Sequence, residues 1–185
     1  MGWIKARIGK ANWIGLLVWI GVLVLFSFWA FTMDSPWTRA LAAAGGALPE
    51  MQPGIPAIEP VRSLQAMGEN TGSYLLWQIL DVPYAVMNFM VISSAMGLGL
   101  KAVRLETGIL RFALLLPALY VVCELIENAL LAAFAAEISP LSEPLVLAQQ
   151  AATTLKFASS MMGGMLAVLG LVVAAIAAGM RLVRK

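Results

Sequence analysis

Apolar positions fall into four long runs, residues 13–33, 74–100, 112–135 and 145–180, with polar and charged side chains gathered between them. An α-helix rises 1.5 Å per residue, so about 20 apolar residues cross a hydrocarbon core roughly 30 Å thick. Lipid cannot satisfy exposed backbone amides, which leaves helices or barrel strands. The runs are far longer than a barrel strand and show no period-two alternation, so they predict helices. Short connections elsewhere predict antiparallel neighbours. The expected fold is all-α: one integral membrane domain over 1–185, a four-helix up-down-up-down bundle with a long outer loop at 34–73 between the first two helices.

That loop is rich in glycine and proline and mildly acidic. Residues 36–44 and 60–67 each offer a short interfacial helix with proline in its first turn, and 45–59 reads as irregular chain. A loop of this length is a cap on the bundle or a linker, and the cap is the favoured expectation.

The informative residues are the polar ones inside the apolar runs, since ionisable groups in lipid usually face a bundle interior or a water-filled cavity. Asp81, Tyr84 and Asn88 share one face of the second span at spacings of three and four. Tyr120, Glu124, Glu127 and Asn128 share a face of the third. Gln149, Thr153, Lys156 and Ser160 do so on the fourth. Counted from the flanking basic residues, all three stripes lie in the outer half of the membrane, which predicts an outward-opening pocket. Cβ directions favour pairing of Lys156 with Asp81 or Glu127 over Glu124. The first span, with only Ser27 and Thr32, reads as a lipid-facing wall or a partner-contacting helix.

Plainer readings stand beside these. Lys156 reaches the headgroups by snorkelling, or the glutamates only fix helix register through hydrogen bonds. Cys123 is a small core residue, and Met161, Met162 and Met165 are packing filler. Pro83 and Pro117 deprive the Ile79 and Ala113 carbonyls of amide partners. Small residues at 159, 163 and 167 and at 160 and 164 allow close helix approach.

Composition narrows the function. The 185 residues are 61% hydrophobic and 12% charged, half the roughly 25% of a soluble domain. With 12 basic and 10 acidic residues there is no basic excess for nucleic acid. One cysteine and no histidine leave no disulfide, redox pair or ordinary zinc, haem or di-iron site, so no metal or cofactor is expected. Nine basic residues, at 5, 7, 10, 101, 104, 111, 181, 184 and 185, fall on one side of the four spans. Arg39 and Arg62 fall on the other. The positive-inside tendency then puts both termini in the cytoplasm and 34–73 outside an inner (plasma) membrane. The first span lacks a small-residue cleavage site after Phe31 and is expected to be retained.

The combination Asp81-x-x-Tyr84, Leu125-x-Glu127-Asn128 after Pro117, and Thr153-x-x-Lys156 resembles a pattern of uncharacterised bacterial four-span inner-membrane proteins, over residues 74–180. The resemblance implies the fold and carries no activity. Vitamin K epoxide reductase-like enzymes need paired cysteines, sterol-isomerase-like proteins a histidine, and small multidrug transporters a glutamate in the first span; all are missing here.

Three carboxylates against one ammonium in low dielectric cost several kcal/mol per uncompensated ion, which calls for a protonated glutamate, a bound cation or water. The leading expectation is therefore a pocket of Asp81, Tyr84, Asn88, Tyr120, Glu124, Glu127, Asn128, Thr153, Lys156 and Ser160 that binds or transports a cation, an amine or a lipid headgroup. The alternative is an accessory or scaffolding subunit, in contact with a membrane-protein partner or a second copy, with the stripes as glue. An intramembrane enzyme using a glutamate as acid with Lys156 is weakest, because nothing supplies a nucleophile or metal.

Overall fold

A computed structural model describes residues 2–51, 61, 64, 65, 67–105 and 108–183. Six helices organise them: α1 (Gly2–Lys10), α2 (Trp13–Thr32), α3 (Pro36–Ala43), α4 (Thr71–Ala102), α5 (Leu115–Ala135) and α6 (Glu143–Val183). Short 3₁₀ turns occupy Pro49–Met51, Gly68–Asn70 and Ile109–Leu114. Among the described residues there is no strand. Four stretches are long and apolar enough to cross a membrane, Trp13–Ala43, Gly68–Ala102, Ile109–Ala135 and Glu143–Arg181. The expected runs are all helical, and two extend beyond them. At 41 residues, α6 is about 60 Å long.

The helix ends follow local chemistry. Asn12 caps α2, its side chain accepting from the Gly15 amide at 2.7 Å. Ser35 opens α3 with a capping box to Thr38 and places Pro36 in the first turn, each supplying what an N-terminus lacks. At the other end of α3, Gly45 takes φ +71° while the Gly46 amide reaches back to the Leu41 carbonyl at 2.9 Å, a left-handed stop that glycine adopts without strain. Pro83 lies within α4. Pro117 is the third residue of α5, which follows directly on the Ile109–Leu114 turn.

Helices α4, α5 and α6 pack together as the centre of the molecule, and α2 lies along α4. Two apolar clusters sit at opposite ends. One joins Ile4, Ile8 and Ala11 of the N-terminal segment to Ala95, Met96 and Leu98 of α4 and Ala167 and Ala174 of α6. The other joins Ala40, Leu48, Val61, Leu64 and Met67 of the 33–70 connection to Tyr74, Leu131, Phe134 and Val146. These residues of the connection therefore lie against the start of α4, the end of α5 and the start of α6. Half of the second short helix expected there, 60–67, lies outside the described residues, as does 52–59 of the expected irregular stretch 45–59.

Helix α1 was not expected as an element. Ile4, Ile8 and Ala11 are buried on one face at helical spacing. Its Arg7 donates to Ser93 Oγ (2.8 Å), Ser94 Oγ (2.7 Å) and the Met90 carbonyl (2.9 Å). Lys101 Nζ in turn donates to the carbonyls of Gly9 and Ala11 at 2.8 and 2.7 Å, satisfying acceptors that a helix C-terminus leaves open. Trp13, Lys101 and Arg181 line one small cleft at this end.

Helices α4 and α6 come close together at Gly99 and Gly170. A Cβ on Gly99 would stand 2.4 Å from the Gly170 Cα, and one on Gly170 would stand 2.8 Å from the Ala95 carbonyl oxygen. Gly163 of the expected small-residue row faces Ile92 and Pro117 instead. Met161, Met162 and Met165 are exposed on α6, not packing filler.

Candidate functional site

Between the two apolar clusters the facing surfaces of α4, α5 and α6 are polar. Glu127 is fully buried at its centre and accepts from Lys156 Nζ and Thr153 Oγ1. Gln149 Nε2 lies 2.8 Å from Thr153 Oγ1 and 3.5 Å from Glu127 Oε1. Lys156 Nζ also donates to Glu124 Oε1 at 3.2 Å, so it bridges two glutamates one turn apart on α5. The sequence geometry favoured Asp81 over Glu124 as its partner. The four-carbon stem of lysine overrides the Cβ direction, and Asp81 is engaged elsewhere. Its Oδ2 accepts from Asn128 Nδ2 at 3.3 Å, and it lines the same cavity as Glu124. Carboxylates that share a cavity repel one another unless a proton or a cation offsets the charge.

This network backs a cavity of about 470 Å³. Of the ten expected residues, Asp81, Tyr84, Asn88, Tyr120, Glu124, Lys156 and Ser160 line it. Glu127, Asn128 and Thr153 do not; they stand behind the wall and hold Lys156 and Asp81 in place. Asn88 points its amide back to the Tyr84 carbonyl at 3.0 Å.

The remaining lining residues are Phe31, Trp37, Glu50, Met51, Trp77 and Phe157. Phe31 packs on Trp37, Trp77 and Tyr84 with ring centroids 5.5, 5.9 and 5.7 Å away, and Trp37 meets Trp77 at 5.0 Å. Phe26 stacks on Tyr84 at 5.8 Å. The last two turns of α2 therefore build an aromatic wall, although the rest of that helix is largely exposed as expected of a lipid-facing one. Phe31, Met51 and Phe157, each more than a third exposed, mark where the cavity reaches the surface. The Trp77 indole Nε1 is buried with no hydrogen-bond partner among the described residues.

Glu50 was not expected in the site. It enters from the Pro49–Met51 turn, is buried, and accepts from Tyr74 Oη at 3.1 Å and Gln78 Nε2 at 3.3 Å. Burial is the main reason its carboxyl is pushed up from 4.5 to about 7, with the charge of Glu127 adding to it and Lys156 and Tyr74 opposing. Four carboxyl groups thus surround one ammonium. No signal in the irregular loop marks Glu50, whereas Gln78 extends the Asp81 stripe by one turn and was legible at that spacing.

Among the described residues no group of three or more His, Cys, Asp or Glu side chains is arranged to hold a metal ion. No protein-family model, no curated protein and no solved structure matches the chain.

Proposed function

We propose that this chain is an inner-membrane protein of four spans in up-down-up-down order whose polar chamber binds or transports a cation, an amine or a lipid headgroup. The supporting observation is that three carboxyl groups and one ammonium line a 470 Å³ cavity, with Glu127 as a fourth carboxyl group behind Lys156. Buried charge of one sign costs several kcal/mol per ion, and a bound cation relieves it. The order of spans is supported by contacts between the end of α2 and the start of α4, and between the end of α5 and the starts of α4 and α6. Grouping of α1, Lys101 and Arg181 at one end fits cytoplasmic termini by the positive-inside tendency. The 33–70 connection then caps the outer face, and the chamber opens outward.

The test is thermal unfolding of the detergent-purified protein against metal ions, amines and headgroup analogues. A ligand of the native state raises the melting temperature with concentration, and Asp81→Asn with Glu124→Gln abolishes the rise. No shift from any of them rejects the reading. A second reading, an accessory subunit of a membrane complex, is favoured by the exposed apolar face of α2, including Ile14, Leu17, Leu25 and Phe28. Co-purification of a stoichiometric partner after mild extraction would select it.

A further inference from the structure

The chamber has two kinds of wall, and together they narrow the ligand. Carboxyl groups of Asp81, Glu124 and Glu50 supply negative charge, and Lys156 is committed to Glu127 and Glu124. Beside them stand Phe31, Trp37, Trp77 and Tyr84, in ring-to-ring contact. A small inorganic cation must replace its hydration shell with several oxygen ligands at close range. Among the described residues no three His, Cys, Asp or Glu side chains are grouped to hold one, and aromatic carbon offers no ligands. An organic ammonium is weakly hydrated, is attracted to ring faces, and carries apolar surface that such rings cover. Trp77 lines the cavity, is 2% exposed, and its indole donor has no acceptor among the described residues.

We propose that the ligand is an organic ammonium ion, held with its nitrogen toward Asp81 and Glu124 and its carbon substituents against the cluster of Phe31, Trp37, Trp77 and Tyr84. This rests on the binding reading above and names the ligand class within it. A free amine and an amine-bearing lipid headgroup share the chemistry.

The experiment uses the full chain in nanodiscs of phosphatidylglycerol, with choline, benzyltrimethylammonium, potassium, magnesium and calcium as soluble probes. A parallel arm replaces half the lipid with phosphatidylethanolamine. Binding is read by tryptophan fluorescence and by melting temperature. The two organic ammonium ions are expected to shift both in a saturable way, at least tenfold more tightly than any inorganic cation. Asp81→Asn, and separately Trp37→Leu, should weaken them at least tenfold; the ligand-free melting temperature of each variant shows whether it folds. Stabilisation by phosphatidylethanolamine that competes with choline supports the same chemistry and assigns its source to the bilayer. Saturable binding of inorganic cations alone, lost in Asp81→Asn, overturns the ammonium assignment and leaves a cation site standing. No response to any probe in either arm overturns both.

Discussion

Glu50 gives the sharpest quantitative handle on the Pro49–Met51 turn. In the unfolded chain its carboxyl ionises near 4.5, and in the folded protein near 7. Between those values the native state holds more protons than the unfolded state, so stability falls as pH rises and levels off above 7. At about 1.4 kcal/mol per pH unit, ionising the buried group costs the fold ~3 kcal/mol. Glu50→Gln removes the titration and keeps an oxygen that Tyr74 or Gln78 can donate to. The variant minus wild-type difference in stability should therefore be flat below pH 4.5, climb in favour of the variant up to pH 7, and stay constant beyond. For a chain of this size that climb is roughly 6–12 °C in melting temperature. Scanning fluorimetry of both proteins from pH 4 to 9 measures it. Other titrating groups are common to the two proteins and cancel, and a fixed offset from the new amide does not alter the shape. Parallel curves across the whole range would refute the reasoning, since Glu50 would then be ionising as freely in the folded protein as in the unfolded.

Lys156→Met leaves Glu127 buried without its cation and should cost about 3–5 kcal/mol. Adding Glu127→Gln should return most of that, a coupling that a double-mutant cycle of denaturation energies measures. Gly99→Ala drives a methyl into the backbone of Gly170, where no side chain can give way; a loss of at least ~2 kcal/mol by thermal melt is expected. Glu137 closes α5 at φ +55°, a conformation that glycine takes without a Cβ penalty. Glu137→Gly should raise stability by about 0.5–1 kcal/mol, read from the same melts.

The long helices were legible because hydrophobic runs of membrane length have few alternative folds. The facing stripes on α4, α5 and α6 were legible because spacings of three and four fix which side chains share a face. Partner choice within the chamber was not, since a lysine reaches across a full turn and only the packed geometry decides between Glu124 and Asp81. The aromatic wall escaped for a related reason: Phe31 and Trp77 look like ordinary interfacial or lipid-facing residues until the end of α2 is laid beside the start of α4. Glu50 sits in a stretch without periodicity, and its burial depends on contacts far away in the chain. Helix α1 did leave a trace in Ile4, Ile8 and Ala11, overshadowed by the three basic residues among them.

The Gly99–Gly170 crossing makes α4 and α6 behave like two blades riveted near one end. Asp81 and Lys156 stand about 27 and 21 Å along their helices from that rivet, on the far side from α1. A scissoring of roughly 5° about the crossing would part the blades by ~2 Å at the level of the carboxylates, while the end gripped by Arg7 and Lys101 scarcely shifts. Small rotations thus translate into changes of aperture where the charged groups are, and bulk added at either glycine would set the resting width.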